Sequence, residues 1–302
     1  MAGELETDVL KAVSRSFYLS LRFLPAPMRR PAGIAYLLAR TSDTIADSAA
    51  VSPQERIAFL EDFSQQVRGE AGKLPEKLAE GVANDGEKAL LRRSGEVVAA
   101  LATLSGEEQA LVREVLETII GGQKLDLERF GEADGNHVVC LPDEASLDDY
   151  TWRVAGCVGS FWTKLGFQTL GKRFSDFPQE ELVRLGIEYG KGLQLVNILR
   201  DLPEDLKVGR CYLPVEGADH RAVLMTEFSK WRERAVEKVS KGRKYSKKLA
   251  KKRLRVASVL PAMIAEETLR MMEEVSFSRL EERIKVPRPK VYGMILNAWF
   301  SR

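Results

Sequence analysis

Two acidic groups have the residue types and spacing to hold a divalent cation. Asp43 and Asp47 are four residues apart, so on a helix both carboxylates leave one face, with Tyr36 and Arg40 ahead of them on that face. The second group is Asn197, Asp201 and Asp205 at i, i+4 and i+8, with Gln194 one turn earlier and Arg200 alongside. Like charges at this spacing weaken a helix slightly, and acids at a helix C-terminus oppose its dipole. Oxygen donors in this pattern suit Mg²⁺, which keeps several waters and bridges substrate phosphates. Arginine forks suit the phosphate oxygens. The bland alternative for each group is a solvated acidic face. Against it, the apolar run 33–39 leads into the first group, and Leu193, Leu195, Val196, Ile198 and Leu199 surround the second. Burying a polar stripe in such surroundings is expensive without partners.

Composition narrows the chemistry further. Among 302 residues only His137 and His220 are histidines. That count excludes a His-rich metal centre and a di-iron bundle, which needs Glu-x-x-His pairs, and it argues against a histidine general base. Cys140, Cys157 and Cys211 show no CxxC spacing, so neither a zinc site nor a disulfide framework is expected. A reducing, cytoplasmic setting fits. The first residues, MAGELETDVLKAV, lack the apolar core of a signal peptide. No apolar run approaches the roughly 20 residues that span a bilayer, so the expectation is a soluble or peripheral protein at the inner membrane surface. A hydrophobic fraction of 44% and a net charge of +2 exclude a disordered chain and argue against a general nucleic-acid binder.

The elements that must position these groups read as helices. Apolar residues recur at three- and four-residue steps in 30–48, 87–124, 150–170, 180–200, 221–240 and 256–283. Period-two alternation is nearly absent. The expectation is an all-α protein of ten or more helices in one helical domain, 1–302. Loops are expected at 69–86, 131–146 and 206–219, where turn residues cluster. The two acidic groups, 158 residues apart, are expected on two facing helices of a bundle.

Three blocks carry a resemblance. The first is Ser14-Arg15-Ser16-Phe17-Tyr18 followed by YLLARTSDTIAD at 36–47. The second is YTWRVAGCVG at 150–159, and the third GLQLVNILRDLPEDLKVGRCYLP at 192–214. In this order and spacing the chain resembles the squalene/phytoene synthase family of head-to-head isoprenyl diphosphate synthases, over roughly residues 14–290. The resemblance implies an isoprenoid-synthase-type helical bundle around a central apolar cavity. It implies Mg²⁺ held by Asp43, Asp47, Asn197, Asp201 and Asp205. Ser14, Arg15, Tyr36, Arg40, Arg200 and Arg210 match positions that contact diphosphate, or cofactor phosphate in squalene synthases. Gln194 joins the substrate-binding set. Tyr150 matches a tyrosine tied to proton removal or cation stabilisation.

The activity implied is condensation of two farnesyl diphosphates through presqualene diphosphate, followed by reduction with NADPH to squalene. Asp43-Thr44 and Ser14-Arg15-Ser16-Phe17 lean towards the squalene synthase form, and GRCYLP leans towards the phytoene and bacterial form. The alternatives are a phytoene or dehydrosqualene synthase without the reduction, or a non-catalytic helical partner of the family. Two positions depart from the pattern: Ala46 stands where the squalene synthase form often has an acid, and Thr151 where a cysteine is common. Gly156 and Gly159 offer either helix packing or passage for a prenyl tail. The stretch 238–255 holds ten Lys or Arg and no acid. It reads as a solvated helix face or as a contact with anionic lipid. Nucleic acid is disfavoured because only Tyr245 interleaves the cations.

Overall fold

The computed structural model describes residues 9–13, 21, 23–131, 133–216 and 220–300. The chain divides into two compact units, one formed by Met1–Gly131 with Lys164–Gly171 and the other by Glu132–Thr163 with Lys172–Arg302. Both are helical.

In the first unit, α1 (Ala26–Ala46) starts behind Pro25, with Pro27 in its first turn, where a missing N–H does no harm. It buries Ile34, Leu37, Leu38, Thr41 and Ile45. Around it lie α2 (Pro53–Arg68), α4 (Asp85–Arg92), α5 (Ser94–Leu101) and α6 (Gly106–Phe130), with the short α3 (Glu76–Glu80) against α4. Capping boxes, Ser52 with Glu55 and Ser105 with Glu108, start α2 and α6 by satisfying free N–H groups at both ends of the box. Leu38, Ile45, Leu60, Phe63 and Leu116 form its sealed core.

In the second unit, α9 (Gln179–Lys207) is the central element. It packs on α7 (Glu144–Thr151), on the π turn Trp152–Gly156 that follows, on α10 (Arg221–Lys247), on α11 (Lys252–Met271) and on α12 (Phe277–Glu281). A further helix, α8 (Cys157–Leu170), leaves the π turn, and α13 (Arg288–Phe300) packs on α11. Pro31, Pro203 and Pro261 lie inside α1, α9 and α11. The one described sheet is a parallel pair, β1 (Val139–Cys140) with β2 (Arg210–Cys211), in register Val139 to Arg210 and Cys140 to Cys211.

The all-α expectation holds, with corrections to its boundaries. The periodic run 87–124 is three helices, because α4 ends at Arg92 and Ser105 caps a new start. The run 256–283 stops at Met271. Glu274 beyond it takes a left-handed φ of 51°, and Ser276 caps the next short helix. The loop expected at 69–86 contains α3, and the loops at 131–146 and 206–219 supply β1 and β2.

Glycine sets how closely the second unit packs. A Cβ on Gly159 would lie 2.0 Å from the Gly186 carbonyl oxygen of α9, so only hydrogen fits there. Gly156 is also enclosed, by Trp152 and Lys191. Close helix approach therefore accounts for both glycines.

Candidate functional site

The α1 acids sit at that helix's C-terminal end. Asp43 lies two turns past Tyr36, and Asp47 is the C-cap residue, donating its N–H to the Asp43 carbonyl. The polar neighbours between them are consumed locally: Thr41, Ser42 and Thr44 donate their hydroxyls to the carbonyls of Leu37, Ala39 and Arg40. That leaves the carboxylates and Arg40 for other work.

Asp43 accepts a 2.6 Å hydrogen bond from Gln123 Nε2 of α6 and lies 3.8 Å from Arg40. Its side chain keeps 45% of its surface accessible, yet burial, with the charge of Asp47 second, pushes its carboxyl up to about 6. A carboxylate pressed by a second carboxylate gains from a cation between them. Arg40 is clamped by Glu87 of α4, while its Nε is buried with no hydrogen-bond partner. The Gln123 Oε1 is likewise buried without one. Tyr36 donates its hydroxyl to the Val13 carbonyl at 3.1 Å, and burial pushes it up to about 12, so it stays protonated.

The α9 group is wired differently. Arg200 closes on its neighbour Asp201 in a two-pronged pair, at 2.8 Å through Nε and 2.5 Å through Nη2. Asn197 Nδ2 donates to Gln194 Oε1 at 3.3 Å. Glu204, on the same helix, is bonded to Arg283 at 2.8 Å and held below the usual carboxylate range by that contact. Its other oxygen is buried and unpartnered.

Near this helix, Tyr150 of α7 stacks on Tyr212, with ring centroids 4.6 Å apart and planes inclined by 24°. Lys191 of α9, almost fully buried, holds Asp148 of α7 at 2.7 Å. Tyr212 follows β2, in which Arg210 pairs with Val139. Gly209 before it has a φ of +79°, and its backbone meets Asp134, so a side chain would be strained there.

The structure thus gathers Tyr36, Arg40, Asp43 and Asp47 in the first unit. In the second it gathers Gln194, Asn197, Arg200, Asp201 and Asp205 on one helix, with Tyr150 and Arg210 on neighbouring elements. Ser14 and Arg15 lie outside the described residues. Glu87, Gln123, Lys191 and Tyr212 were not singled out from the sequence. Gln123 and Lys191 left a signal there, a polar residue on an apolar helical face. Glu87 left none, since its role depends on a partner 47 residues away.

The donor set fits Mg²⁺. Each group offers a carboxylate pair at one-turn spacing. A cation held there takes its remaining ligands from water and phosphate, as Mg²⁺ does. Of the cations expected at a cofactor phosphate, Arg40 pairs with Glu87 and Arg200 with Asp201, and Arg15 lies outside the described residues.

The architecture is the isoprenoid-synthase type of helical fold. The structure of TcSQS with the ligand E5700 matches 98% of this chain and 86% of its own, with a TM-score of 0.80 at 22% identity. The sequence makes the assignment more specific. Residues 10–290 match the squalene/phytoene synthase family, and the chain belongs to it. Presqualene diphosphate synthase of Rhodopseudomonas palustris is 34% identical over 206 residues, 68% of this chain and 60% of that protein. The enzyme of the same description from Zymomonas mobilis is 31% identical over 215 residues, 71% of this chain and 61% of that protein. The matched stretch thus spans about three fifths of each relative's length.

Proposed function

We propose that this protein is a prenyltransferase that joins two farnesyl diphosphates head to head and releases presqualene diphosphate. The observation that carries the reading is the Asp43 environment: a carboxylate one turn before Asp47, held by Gln123 and next to an arginine whose buried Nε lacks an acceptor. A diphosphate oxygen supplies that acceptor. The names of the two relatives support the product.

Ionising an allylic diphosphate loads several negative charges onto the leaving group. Asp43 and Asp47 on α1, and Asn197, Asp201 and Asp205 on α9, are the residues that would hold magnesium, which would supply neutralisation of that charge. Arg40 presents a fixed fork, since Glu87 already sets its rotamer. Arg200, paired with Asp201 in the free protein, has the fork that would bind phosphate oxygens if Asp201 turned to a cation. Tyr150 and Tyr212 together offer π-faces to the carbocation left behind. Tyr150 also carries the hydroxyl nearest in role to the proton lost when the cyclopropane closes. Substrate-binding roles for Tyr36, Gln194, Arg210, Ser14 and Arg15 belong to the same reading.

The second reading adds reduction to squalene by NADPH. It draws on the family resemblance, and it stands second because the two bacterial relatives carry the name of the presqualene diphosphate product alone. Incubation with farnesyl diphosphate and Mg²⁺, with and without NADPH, separates the two. A cyclopropyl diphosphate formed equally in both reactions supports the first. Squalene formed only with NADPH overturns it in favour of the second, and dehydrosqualene without NADPH rejects both.

A further inference from the structure

Helix α13 is apolar on two sides, and one of them packs on α11. Val291, Met294, Ile295, Ala298 and Trp299 are half-buried, on the side that packs against α11. Tyr292, Leu296 and Phe300 recur every fourth residue on the other side and are 61%, 59% and 74% exposed. These are three of the seven large apolar side chains left exposed among the described residues, and they form one continuous ridge. Isolated exposed apolar residues need no explanation, but a ridge of this kind does.

The charges around the ridge are of one sign. Between Arg283 and Phe300 the sequence has no Asp or Glu. Helix α13 runs antiparallel to α11: Lys290 near its start bonds Glu267 at 2.7 Å, and Trp299 near its end lies under Lys252, 5.5 Å from the ring centre. The start of α11 therefore brings exposed Lys251, Lys252, Arg253 and Arg255 to the Phe300 end. Lys285 and Arg288 stand at the Tyr292 end. None of Lys251, Arg253, Arg255, Lys285 and Arg288 has an acidic partner among the described residues. By contrast, Lys238, Lys241 and Arg243, earlier in the basic stretch, are bound to Glu188, Glu237 and Glu266. Tyr245 is sealed in the core, where it shares a hydrogen bond with Thr163. The first three cations of the basic stretch are thus tied to acids, and its last four lie beside the ridge.

We propose that the α13 ridge, with the cations at its two ends, docks this protein on the surface of an anionic lipid bilayer. Tyr292, Leu296 and Phe300 enter the headgroup boundary while Lys and Arg contact lipid phosphate and carboxylate groups. With its other side packed on α11, the helix presents the ridge lengthwise, so it would lie in the membrane plane. A second copy of the chain is a poorer occupant, because a symmetric contact through this face sets like charges against each other. The inference does not depend on the proposed reaction.

The test is co-sedimentation of the full chain with vesicles of phosphatidylcholine alone or mixed with phosphatidylglycerol. Binding to the mixed vesicles, weakened by salt and absent with phosphatidylcholine alone, is the expected result. Two variants are read alongside. Replacing Tyr292, Leu296 and Phe300 together by serine should lower binding more than tenfold with no loss of thermal stability, since all three are exposed. Replacing Lys251, Arg253 and Arg255 by glutamine should lower it severalfold and flatten the salt dependence. No binding to the mixed vesicles, or equal binding by the serine variant, overturns the proposal. So does a dimer in solution that the serine variant converts to monomer while vesicle binding is unchanged.

Discussion

Helices α1 and α9 carry nearly the same chemistry and hold it in different ways. On α1, Arg40 and Asp43 take partners from distant segments, Glu87 of α4 and Gln123 of α6. On α9, Arg200 closes on its own neighbour Asp201, and Asn197 on Gln194 one turn away. The α1 arrangement exists only once its unit has folded. The α9 arrangement is available as soon as the helix forms. A shared i, i+4 spacing therefore fixes which face the acids occupy, and the neighbouring helices decide how free each acid is.

The comparison is tested most strongly by removing one acid from each side. Asp43→Asn and Asp201→Asn should each lower turnover about a thousandfold, equivalent to about 4 kcal/mol, with unchanged circular dichroism. Comparable losses make the two groups equal contributors. Full activity in either variant removes that acid from the metal set.

Next comes the difference in wiring. Glu87→Gln removes a charge-assisted clamp on Arg40 and should lower unfolding stability by about 1.5–3 kcal/mol. Turnover should fall along with it. Gln194→Ala on α9 removes a neutral, exposed hydrogen bond, worth about 0.5–1.5 kcal/mol at most. Urea melts of the two variants decide, and equal shifts erase the distinction.

A third change acts only on the α9 side. Gly159→Ala pushes a methyl group into the Gly186 backbone and should destabilise by about 1–3 kcal/mol. Hydrogen exchange should show lost protection in α9 and none in α1. Loss in both would mean that the two units unfold together.

The smallest effect is one of pH. Asp43 is held at about 6, above the unfolded carboxylate. Its protonation therefore favours the folded state: that stability is fully present below the unfolded value near 4 and is lost as pH rises through 6. Metal-free Asp43→Asn should consequently melt slightly higher than the parent at neutral pH. Cation binding at α1 needs the ionised acid, so it should weaken as pH falls below about 6 and release a proton. Calorimetric titration in buffers of different ionisation enthalpy measures that release, which Asp43→Asn should abolish.

The helical class and the α1 and α9 acids were legible because periodicity and i, i+4 spacing are local properties. The breaks at Ala102 and Met272 were not, since apolar spacing continues across them and capping by Ser105 and Ser276 decides where helices restart. The roles of Glu87 and Gln123 stayed hidden because each depends on a contact dozens of residues away. Tyr150 was marked by its motif, but its stack on Tyr212 depends on where the β1–β2 pair holds the segment after α9. The basic stretch looked uniform in sequence. Packing divided it by placing acids from α9, α10 and α11 beside its first three cations only.

Pro203 lies between Asp201 and Asp205 and has no N–H to give to the Leu199 carbonyl. Its ring also removes one backbone rotation at the midpoint of the acid pair. The α9 carboxylates are thereby held at a separation that thermal motion samples less widely than in an ordinary helix. Less ordering is then left to be done when a ligand arrives. A residue usually regarded as a helix breaker thus stiffens the part of the helix where geometry matters most.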